Sequence, residues 1–252
     1  IKGCPIHEEP LHLIPRSLRE EFKEIYGINI EGDLCPVCRH NLKENGNDYM
    51  SMPVAQSSFS VRGRRGVGVV PPMDANSQDV TILVGSEDIS KLDLYPEDDP
   101  RVLSLNGAFN VGNRGIVEFV EVFKNEIEFL HTMLTATQEK RVPSPGKNDM
   151  IYFDGVILSH CNESEWNRFK SEHTNEAILD RVLKIEVPYV LELDQEQKIY
   201  EKIIRRSDFN DAHIAPHTLK IASMFSVLSR LKDSQKCDPL TKMKLYNGEE
   251  VV

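Results

Sequence analysis

Two apolar segments with a helical pattern between them constrain the fold more than any other part of the sequence. Residues 115–122 and 150–159 are rich in apolar and β-branched side chains. Such nearly continuous apolar runs are typical of strands in a parallel sheet that is buried on both faces. Between them, Phe123, Leu130 and Leu134 recur at helical spacing. Strands that alternate with helices predict an α/β fold with a mostly parallel sheet.

The other segments give weaker signals. Gly27 follows a helical pattern where a C-terminal cap belongs, and Asp194 stands where the N-cap of a later helix belongs. Residues 32–72 read as irregular, and 73–110 as a long loop with short elements. The remaining predicted elements are a helix at 17–26, a helix to about 138, a hairpin tip at 141–147, a helix from about 162, a short strand at 182–187, a helix at 195–206 and a helix after Pro216.

The composition fits one large globular domain. The chain has 252 residues, a formal net charge of −10 and 40% hydrophobic residues, which excludes a disordered, collagen-like or coiled-coil chain. The acidic balance argues against non-specific binding to nucleic acid or anionic membranes. No run approaches the ~18 apolar residues of a membrane span. Five cysteines in a chain of this length predict a reduced, cytoplasmic protein rather than a disulfide scaffold.

Polar side chains follow both predicted strands at their carboxyl ends, where open parallel sheets bind ligands. Glu121 ends the first strand, and Asn162 follows the second. A carboxylate there can polarise a water for attack on a phosphate or help to hold Mg²⁺. Arg181 ends a short helix and is suited to touching a phosphate across a subunit boundary. The plain alternatives are a strand-end charge, a helix cap and a helix-end arginine favoured by the dipole.

The order of these residues resembles that of the AAA+ ATPases. In that family an acidic strand end (Walker B) is followed by a helix, a hairpin, a strand ending in the sensor-1 asparagine, and a helix ending in the arginine finger. The resemblance assigns these roles to Glu121, Asn162 and Arg181. It implies a three-layer α/β core of the P-loop type that binds Mg-ATP. The expected domains are a partial AAA+ core at 1–215, with an irregular insertion at about 32–110, and the start of a helical lid at 216–252.

Longer strings are similar to one branch, the PrkA family of AAA+ proteins described as serine protein kinases. They are KGCPIHEEPLHLIP at 2–15, NRG at 113–115, TQE at 137–139, HCNE at 160–163 and HIAPHTLK at 213–220. The resemblance implies an ATP-dependent cytoplasmic enzyme that phosphorylates serine in a protein substrate and assembles as a homo-oligomer. Two alternatives stay open: an AAA+ ATPase that remodels or degrades proteins, and a nucleotide-sensing scaffold without turnover.

The sequence departs from the family pattern in two places. The 252 residues contain no Gly-x-x-x-x-Gly-Lys-Ser/Thr loop, which cradles the triphosphate in P-loop proteins. We therefore expect a fragment whose P-loop unit lies upstream of Ile1, and no activity from residues 1–252 alone. Val120 stands where a typical Walker B strand has aspartate. Glu118 shares its face but lies ~6.6 Å away at two residues of strand rise.

Two pairs of residues have the spacing of zinc ligands. They are Cys4-x-x-His7 and Cys35-x-x-Cys38. Together they predict a zinc site that joins the proline-rich start to the irregular segment. His12 and His40 compete as ligands, and buried thiols without a metal are the plain alternative. A redox role for the second pair is disfavoured, because the βαβ context of a thioredoxin motif is missing.

Overall fold

The computed structural model describes residues 1–72, 79–97, 99–125, 127–146, 149–208 and 211–250, and Lys147 at the predicted hairpin tip lies outside them. The chain divides into two compact units, Ile1–Val182 and Leu183–Val252. The helices are α1 (Arg16–Tyr26), α2 (Pro36–Glu44), α3 (Thr81–Val84), α4 (Ala108–Gly112), α5 (Ile127–Gln138), α6 (Glu163–Ser171), α7 (Glu176–Leu179), α8 (Leu193–Arg205), α9 (Thr218–Arg230) and α10 (Pro239–Tyr246). The strands are β1 (Val67–Val70), β2 (Ser86–Glu87), β3 (Leu103–Ser104), β4 (Ile116–Phe119), β5 (Arg141–Pro143), β6 (Met150–Tyr152) and β7 (Val156–Ser159).

A three-stranded parallel sheet in the order β1-β4-β7 forms the centre of the first unit. Val67 of β1 pairs with Ile116 of β4, and Ile116 pairs with Val156 of β7. The carboxyl ends of all three strands therefore meet at one edge. Parallel neighbours need long crossover connections, and α5 lies in the crossover between β4 and β7. The predicted α/β fold with a parallel sheet is confirmed.

An aromatic cluster packs on one face of this sheet. Phe119 of β4, Phe109 of α4 and Phe153 are almost completely buried. The ring centroids of Phe109 and Phe119 lie 6.0 Å apart, and those of Phe109 and Phe153 lie 5.1 Å apart in an edge-to-face arrangement. Aromatic side chains bury large apolar areas and gain further energy from such pairs. The cluster therefore holds α4 on the sheet although this helix has only five residues.

Glycines let neighbouring backbone segments approach the sheet closely. A Cβ on Gly68 would lie 2.1 Å from the carbonyl oxygen of Ala108, and a Cβ on Gly115 would lie 2.0 Å from that of Gly66. Both neighbours are backbone atoms, which cannot rotate away as a side chain can. The close approach of α4 to β1 therefore requires glycine at position 68.

We expect Gly68→Ala to lower the free energy of unfolding by about 1–3 kcal/mol, because overpacking forces the backbone to shift. Urea denaturation of the intact protein, followed by circular dichroism, measures the change. Gly63→Ala is the matched control in an exposed turn, where the nearest atoms belong to the Ser60 side chain. An equal effect of the two substitutions would contradict this account of Gly68.

The prediction that residues 32–72 are irregular is wrong, because this segment contains α2 and β1. The α2 helix begins directly after Cys35, which is its N-cap. The Sγ of Cys35 accepts a hydrogen bond from the N–H of Cys38 at 3.4 Å. The β1 strand is only four residues long. Its partner β4 lies far along the chain, so no local sequence pattern marks the pairing.

The single strand predicted at 150–159 is also wrong, because the chain forms two strands there. Ile151 of β6 pairs antiparallel with Val142 of β5, whereas β7 belongs to the central sheet. The chain turns between them, where Phe153 is buried and the N–H of Asp154 donates to Oδ1 of Asn113 at 2.9 Å. This turn ends the hairpin and starts the parallel strand.

The second unit contains α8, α9 and α10. The helix predicted after Pro216 is confirmed as α9. The strand predicted at 182–187 is wrong: these residues form no strand, and Leu183 and Val187 are exposed. Asp194 is not the N-cap of α8, because Glu192 occupies that position. The division at 215/216 between core and lid stays a prediction.

An ion pair between buried Glu196 and half-buried Arg230 joins α8 to α9 within the second unit. The guanidinium of Arg230 donates to both carboxylate oxygens of Glu196, at 2.8 and 3.0 Å. Glu196 is buried, and bidentate charged pairs of this kind are among the stronger hydrogen bonds in proteins. Among the described residues, no helix combines the length and the apolar character needed to cross a membrane.

Candidate nucleotide site and a buried cysteine cluster

The carboxyl ends of β4 and β7 lie side by side at one edge of the central sheet. Phe119 pairs with Ser159 in register. Beyond the strands, the N–H of His160 donates to the carbonyl of Phe119 at 3.1 Å, and the N–H of Val122 donates to the carbonyl of His160 at 3.2 Å. These bonds continue the pairing past the strand ends, so Glu121 lies beside the segment 160–162.

Glu121 occupies a strained turn at this edge. Its backbone is left-handed, with φ 50° and ψ 53°, which costs a non-glycine residue about 1–3 kcal/mol. The Oε2 atom lies 2.5 Å from Nζ of Lys124, which lies 3.8 Å from Oε1 of Glu165 in α6. The hydrogen bond to Glu121 raises the pKa of Lys124. Glu121 and Lys124 thus form an ion pair at the surface of this edge.

Glu118 and Val120, the two neighbours of Glu121 considered for the Walker B role, do not lie at the turn that Glu121 occupies. The Oε1 atom of Glu118 lies 3.6 Å from Nε2 of His160. The N–H of Val120 donates to the carbonyl of Val70 at 3.0 Å and extends the ladder toward β1. Glu121 is thus the acid at the turn beyond β4, and Glu118 is an acid within the strand.

Asn162 is the N-cap of α6. Its Oδ1 accepts hydrogen bonds from the N–H of Glu165 at 2.9 Å and from Oγ of Ser164 at 2.7 Å. Capping by an asparagine oxygen is a common way to satisfy the first N–H groups of a helix. A sensor of the γ-phosphate would use the Nδ2 donors of the same side chain. The two roles are therefore compatible at this position.

Arg181 follows α7 at the surface of the first unit. Its guanidinium donates to Oε1 of Gln138 at 2.8 Å and to the carbonyl of Ala177. In the parts of the chain that the structure describes, it forms no hydrogen bond or ion pair with Glu121 or Asn162. The finger role of Arg181 therefore stays a prediction.

The donor atoms at the sheet edge fit part of a Mg-ATP site. Mg²⁺ binds through one or two carboxylates together with substrate phosphates and waters. Glu121 offers one carboxylate, and Asn162 offers amide hydrogens for a phosphate. The 252 residues contain no P-loop string that would add phosphate contacts of that kind.

A second group of chemically active side chains is buried beneath the N-terminal segment. The Sγ atoms of Cys4, Cys35 and Cys38 and a carboxylate oxygen of Glu8 all lie within 4.8 Å of one another. The predicted ligand His7 is not among them. With φ 58°, His7 lies in a turn, and its Nε2 lies 3.4 Å from the carbonyl oxygen of Arg64. The structure therefore replaces His7 by Glu8 in this cluster.

His12 and His40, the two competing histidines, are also not among the four residues whose donor atoms form the cluster. Nε2 of His40 lies 3.1 Å from Oε1 of Glu44. His12 is buried, and its Nδ1 lies 3.4 Å from Oε1 of Glu8. His12 therefore contacts the carboxylate of the cluster from behind rather than joining the thiols.

The thiols of the cluster influence one another strongly. Hydrogen bonds from Cys35 and then from Cys38 lower the pKa of Cys4. Hydrogen bonds to Cys38 and Cys4, together with burial, raise the pKa of Cys35. Of these two thiols, Cys4 is therefore the one that loses its proton more readily.

A comparison with models of protein families shows the family to which the chain belongs. The model of the PrkA AAA domain matches residues 1–238. The chain belongs to the PrkA AAA family. The ATP-dependent protease PrkA of Bacillus subtilis is 45% identical over 255 residues, which cover 100% of this chain and 40% of the relative. The serine/threonine kinase YeaG of Escherichia coli K12 is 38% identical over 251 residues, which cover 98% of this chain and 39% of the relative.

The PrkA-family chain thus spans about two fifths of the length of both curated relatives. Similar solved structures include NtrX from Brucella abortus, with a TM-score of 0.44 and 13% identity over 75% of this chain and 41% of that one. The Hsp104-ADP complex of S. cerevisiae has a TM-score of 0.42 and 18% identity over 63% of this chain and 25% of that one.

Two of the strings that suggested the PrkA family meet in the structure. Nδ2 of Asn113 donates to the carbonyl of Ile6 at 2.8 Å. The guanidinium of Arg114 lies 2.7 Å from a carboxylate oxygen of Glu9. The segment before β4 therefore anchors the N-terminal segment.

Proposed function

We propose that this chain is the nucleotide-responsive AAA part of an ATP-dependent serine protein kinase of the PrkA type. The observation that carries the proposal is the position of Glu121 beside the 160–162 segment at the carboxyl edge of the sheet, in a chain of the PrkA AAA family. Bound Mg-ATP supplies the γ-phosphoryl group that is transferred to serine in a protein substrate.

The residues of the chain take three parts in this proposal. Glu121 positions Mg²⁺ or the attacking group, and Lys124 holds its carboxylate at 2.5 Å. Asn162 donates from Nδ2 to the γ-phosphate while its Oδ1 caps α6. Arg181 neutralises charge that develops on the transferred group in a neighbouring subunit, the main task of proteins in phosphoryl transfer. This arrangement requires a homo-oligomer.

A second candidate is an ATPase that drives protein degradation or remodelling. It is favoured by the name of the relative that is 45% identical, the ATP-dependent protease PrkA of Bacillus subtilis. The same Glu121 and Asn162 would serve both activities, because each begins with ATP bound at the sheet edge. The two candidates differ in what is done to the protein substrate.

Incubation of the intact protein with γ-labelled Mg-ATP and an unfolded protein such as casein separates the candidates. We expect Mg²⁺-dependent label in the protein fraction, identified as phosphoserine after acid hydrolysis, and no new peptide fragments. Peptide fragments that appear only with ATP, without phosphoserine, would contradict the kinase proposal and support the protease. Bound nucleotide with neither product nor phosphate release would indicate a nucleotide-sensing scaffold. An EDTA-treated reaction is the control for metal dependence.

A further inference from the structure

The cysteine cluster described above takes no part in the proposed nucleotide chemistry. We propose that Cys4, Glu8, Cys35 and Cys38 bind one Zn²⁺ through three thiolates and one carboxylate, as a structural site. The proposal does not depend on the kinase assignment, since the cluster lies in the N-terminal segment and α2 rather than at the carboxyl edge of β4 and β7.

The spacing of the donor atoms suits tetrahedral zinc. With Zn–S bonds of ~2.3 Å, the corners of a tetrahedron lie about 3.8 Å apart. All four donor atoms lie within 4.8 Å of one another, and Sγ of Cys4 lies 3.6 Å from Oε2 of Glu8. Shifts of about 1 Å or less would complete the coordination.

The cluster also has the outer hydrogen bonds that orient metal ligands. Sγ of Cys4 accepts from the N–H of Glu8, and Sγ of Cys35 accepts from the N–H of Cys38, both at 3.4 Å. The N–H of Cys35 donates to Oε1 of Glu8 at 2.6 Å, and Nδ1 of His12 lies 3.4 Å from the same oxygen. These contacts fix Oε1 and leave Oε2 turned toward the thiols.

Burial and charge point to a divalent cation in this position. Glu8 is only 3% exposed, and Cys38 is fully buried. A buried carboxylate is unfavourable unless it is paired or binds a metal. In the described ranges of the chain, the ion pair of Glu8 is with His12, and no lysine or arginine pairs with it. Three sulfur donors select zinc over the oxygen-preferring Mg²⁺ and Ca²⁺.

Zinc here would join two segments that are distant in sequence. Cys4 and Glu8 lie in the N-terminal segment, and Cys35 and Cys38 lie at the start of α2. The N-terminal segment is also bonded to Asn113. Metal binding would therefore stabilise the docking of this segment beside the central sheet, and it would release the protons of the three thiols.

The test is the metal content of the intact protein, purified in reducing buffer without chelators. We expect close to one zinc per chain by plasma mass spectrometry. Cys35→Ser should lose the metal, and Glu8→Gln should weaken zinc binding at least about tenfold, the scale of losing even an outer partner. His7→Ala and Cys237→Ser are matched controls that should keep it. Zinc absent from the wild type, or retained equally in Cys35→Ser and Glu8→Gln, would overturn the proposal.

A spectroscopic measurement keeps the proposal testable if Cys35→Ser does not fold. The wild-type protein is stripped with a chelator under reducing conditions and titrated with Co²⁺ alone. We expect one equivalent to produce the visible bands of tetrahedral cobalt together with thiolate-to-metal charge transfer. Octahedral cobalt without charge-transfer bands, or a disulfide among the three thiols in the freshly purified protein, would contradict the site.

Discussion

Arg181→Ala is expected to lower ATP turnover of the intact protein about 10³-fold or more, the scale of losing an arginine finger. The side chain lies at the surface, where it donates to Gln138 at 2.8 Å, and its proposed task is to act on the nucleotide of a neighbouring subunit. Steady-state phosphate release at saturating Mg-ATP measures the effect. Arg168→Ala is the matched control, because this exposed arginine in α6 forms a long ion pair of 3.9 Å with Glu172 and has no assigned part in catalysis.

Mixed oligomers test whether Arg181 acts in the neighbouring subunit. Arg181→Ala subunits retain Glu121, and Glu121→Gln subunits retain Arg181. Mixing the two inactive proteins should therefore restore part of the turnover, because some interfaces combine both intact residues. If co-assembled mixtures stay inactive at every ratio, or if Arg181→Ala alone keeps wild-type turnover, the finger role is wrong.

Glu121→Gln is expected to lower turnover by about 10²–10³-fold, the range for losing one general acid–base or electrostatic group. Glutamine keeps the size of the side chain but removes the charge that polarises a water or holds Mg²⁺. Mg-ATP binding should be largely retained, because the proposal assigns the γ-phosphate contact to Asn162 and not to Glu121. Turnover and equilibrium nucleotide binding are measured on the same preparations.

Glu118→Gln distinguishes the two acids of β4 and its turn. Glu118 lies 3.6 Å from His160 and has no assigned part in catalysis, so its replacement should leave most of the turnover. The reverse result, with Glu118→Gln inactive and Glu121→Gln active, would move the catalytic acid to position 118. It would also remove the main support for a site at the turn beyond β4.

The alternation of apolar strands and helices predicted the parallel sheet because it is a local signal. The segment 115–122 forms β4, in which Val117 and Phe119 are buried, whereas Val156 and Leu158 of β7 are exposed, so the expected burial of both faces does not hold for β7. The β1 strand was missed because its four residues lie between the glycine-rich segment 63–66 and Pro71, so no long apolar run marks it as a strand. The turn at Phe153 was missed because it is set by contacts with Phe109 and Asn113.

The cysteine cluster shows how far ligand spacing can be used. The C-x-x-H and C-x-x-C spacings grouped Cys4 with Cys35 and Cys38, and the structure places these three thiols close together. The C-x-x-H spacing suggested His7 as the fourth member because zinc pairs commonly include histidine. The structure brings in Glu8 instead, because the chain turns at His7, with φ 58°, and residues 4 and 8 then face the same side. Only the backbone conformation carries that information.

The roles at the sheet edge depended on the family resemblance more than on any single residue. Asn162 caps α6 in the way that asparagine commonly caps helices. Its place in the sequence alone therefore does not distinguish a sensor from a cap. The left-handed turn at Glu121 is a stronger indication, since strain of this kind clusters at functional sites. That strain is a property of the folded backbone and could not be predicted from the sequence.

A structure of the intact protein with Mg²⁺ and a non-hydrolysable ATP analogue tests the central claim most directly. We predict the γ-phosphate at the carboxyl edge of β4 and β7, with one of its oxygens about 3 Å from Nδ2 of Asn162, a normal hydrogen-bond distance. The Glu121 carboxylate should face the metal or the attacking position. A nucleotide bound away from this edge, with Glu121 and Asn162 still in contact only with Lys124 and the start of α6, would contradict the account.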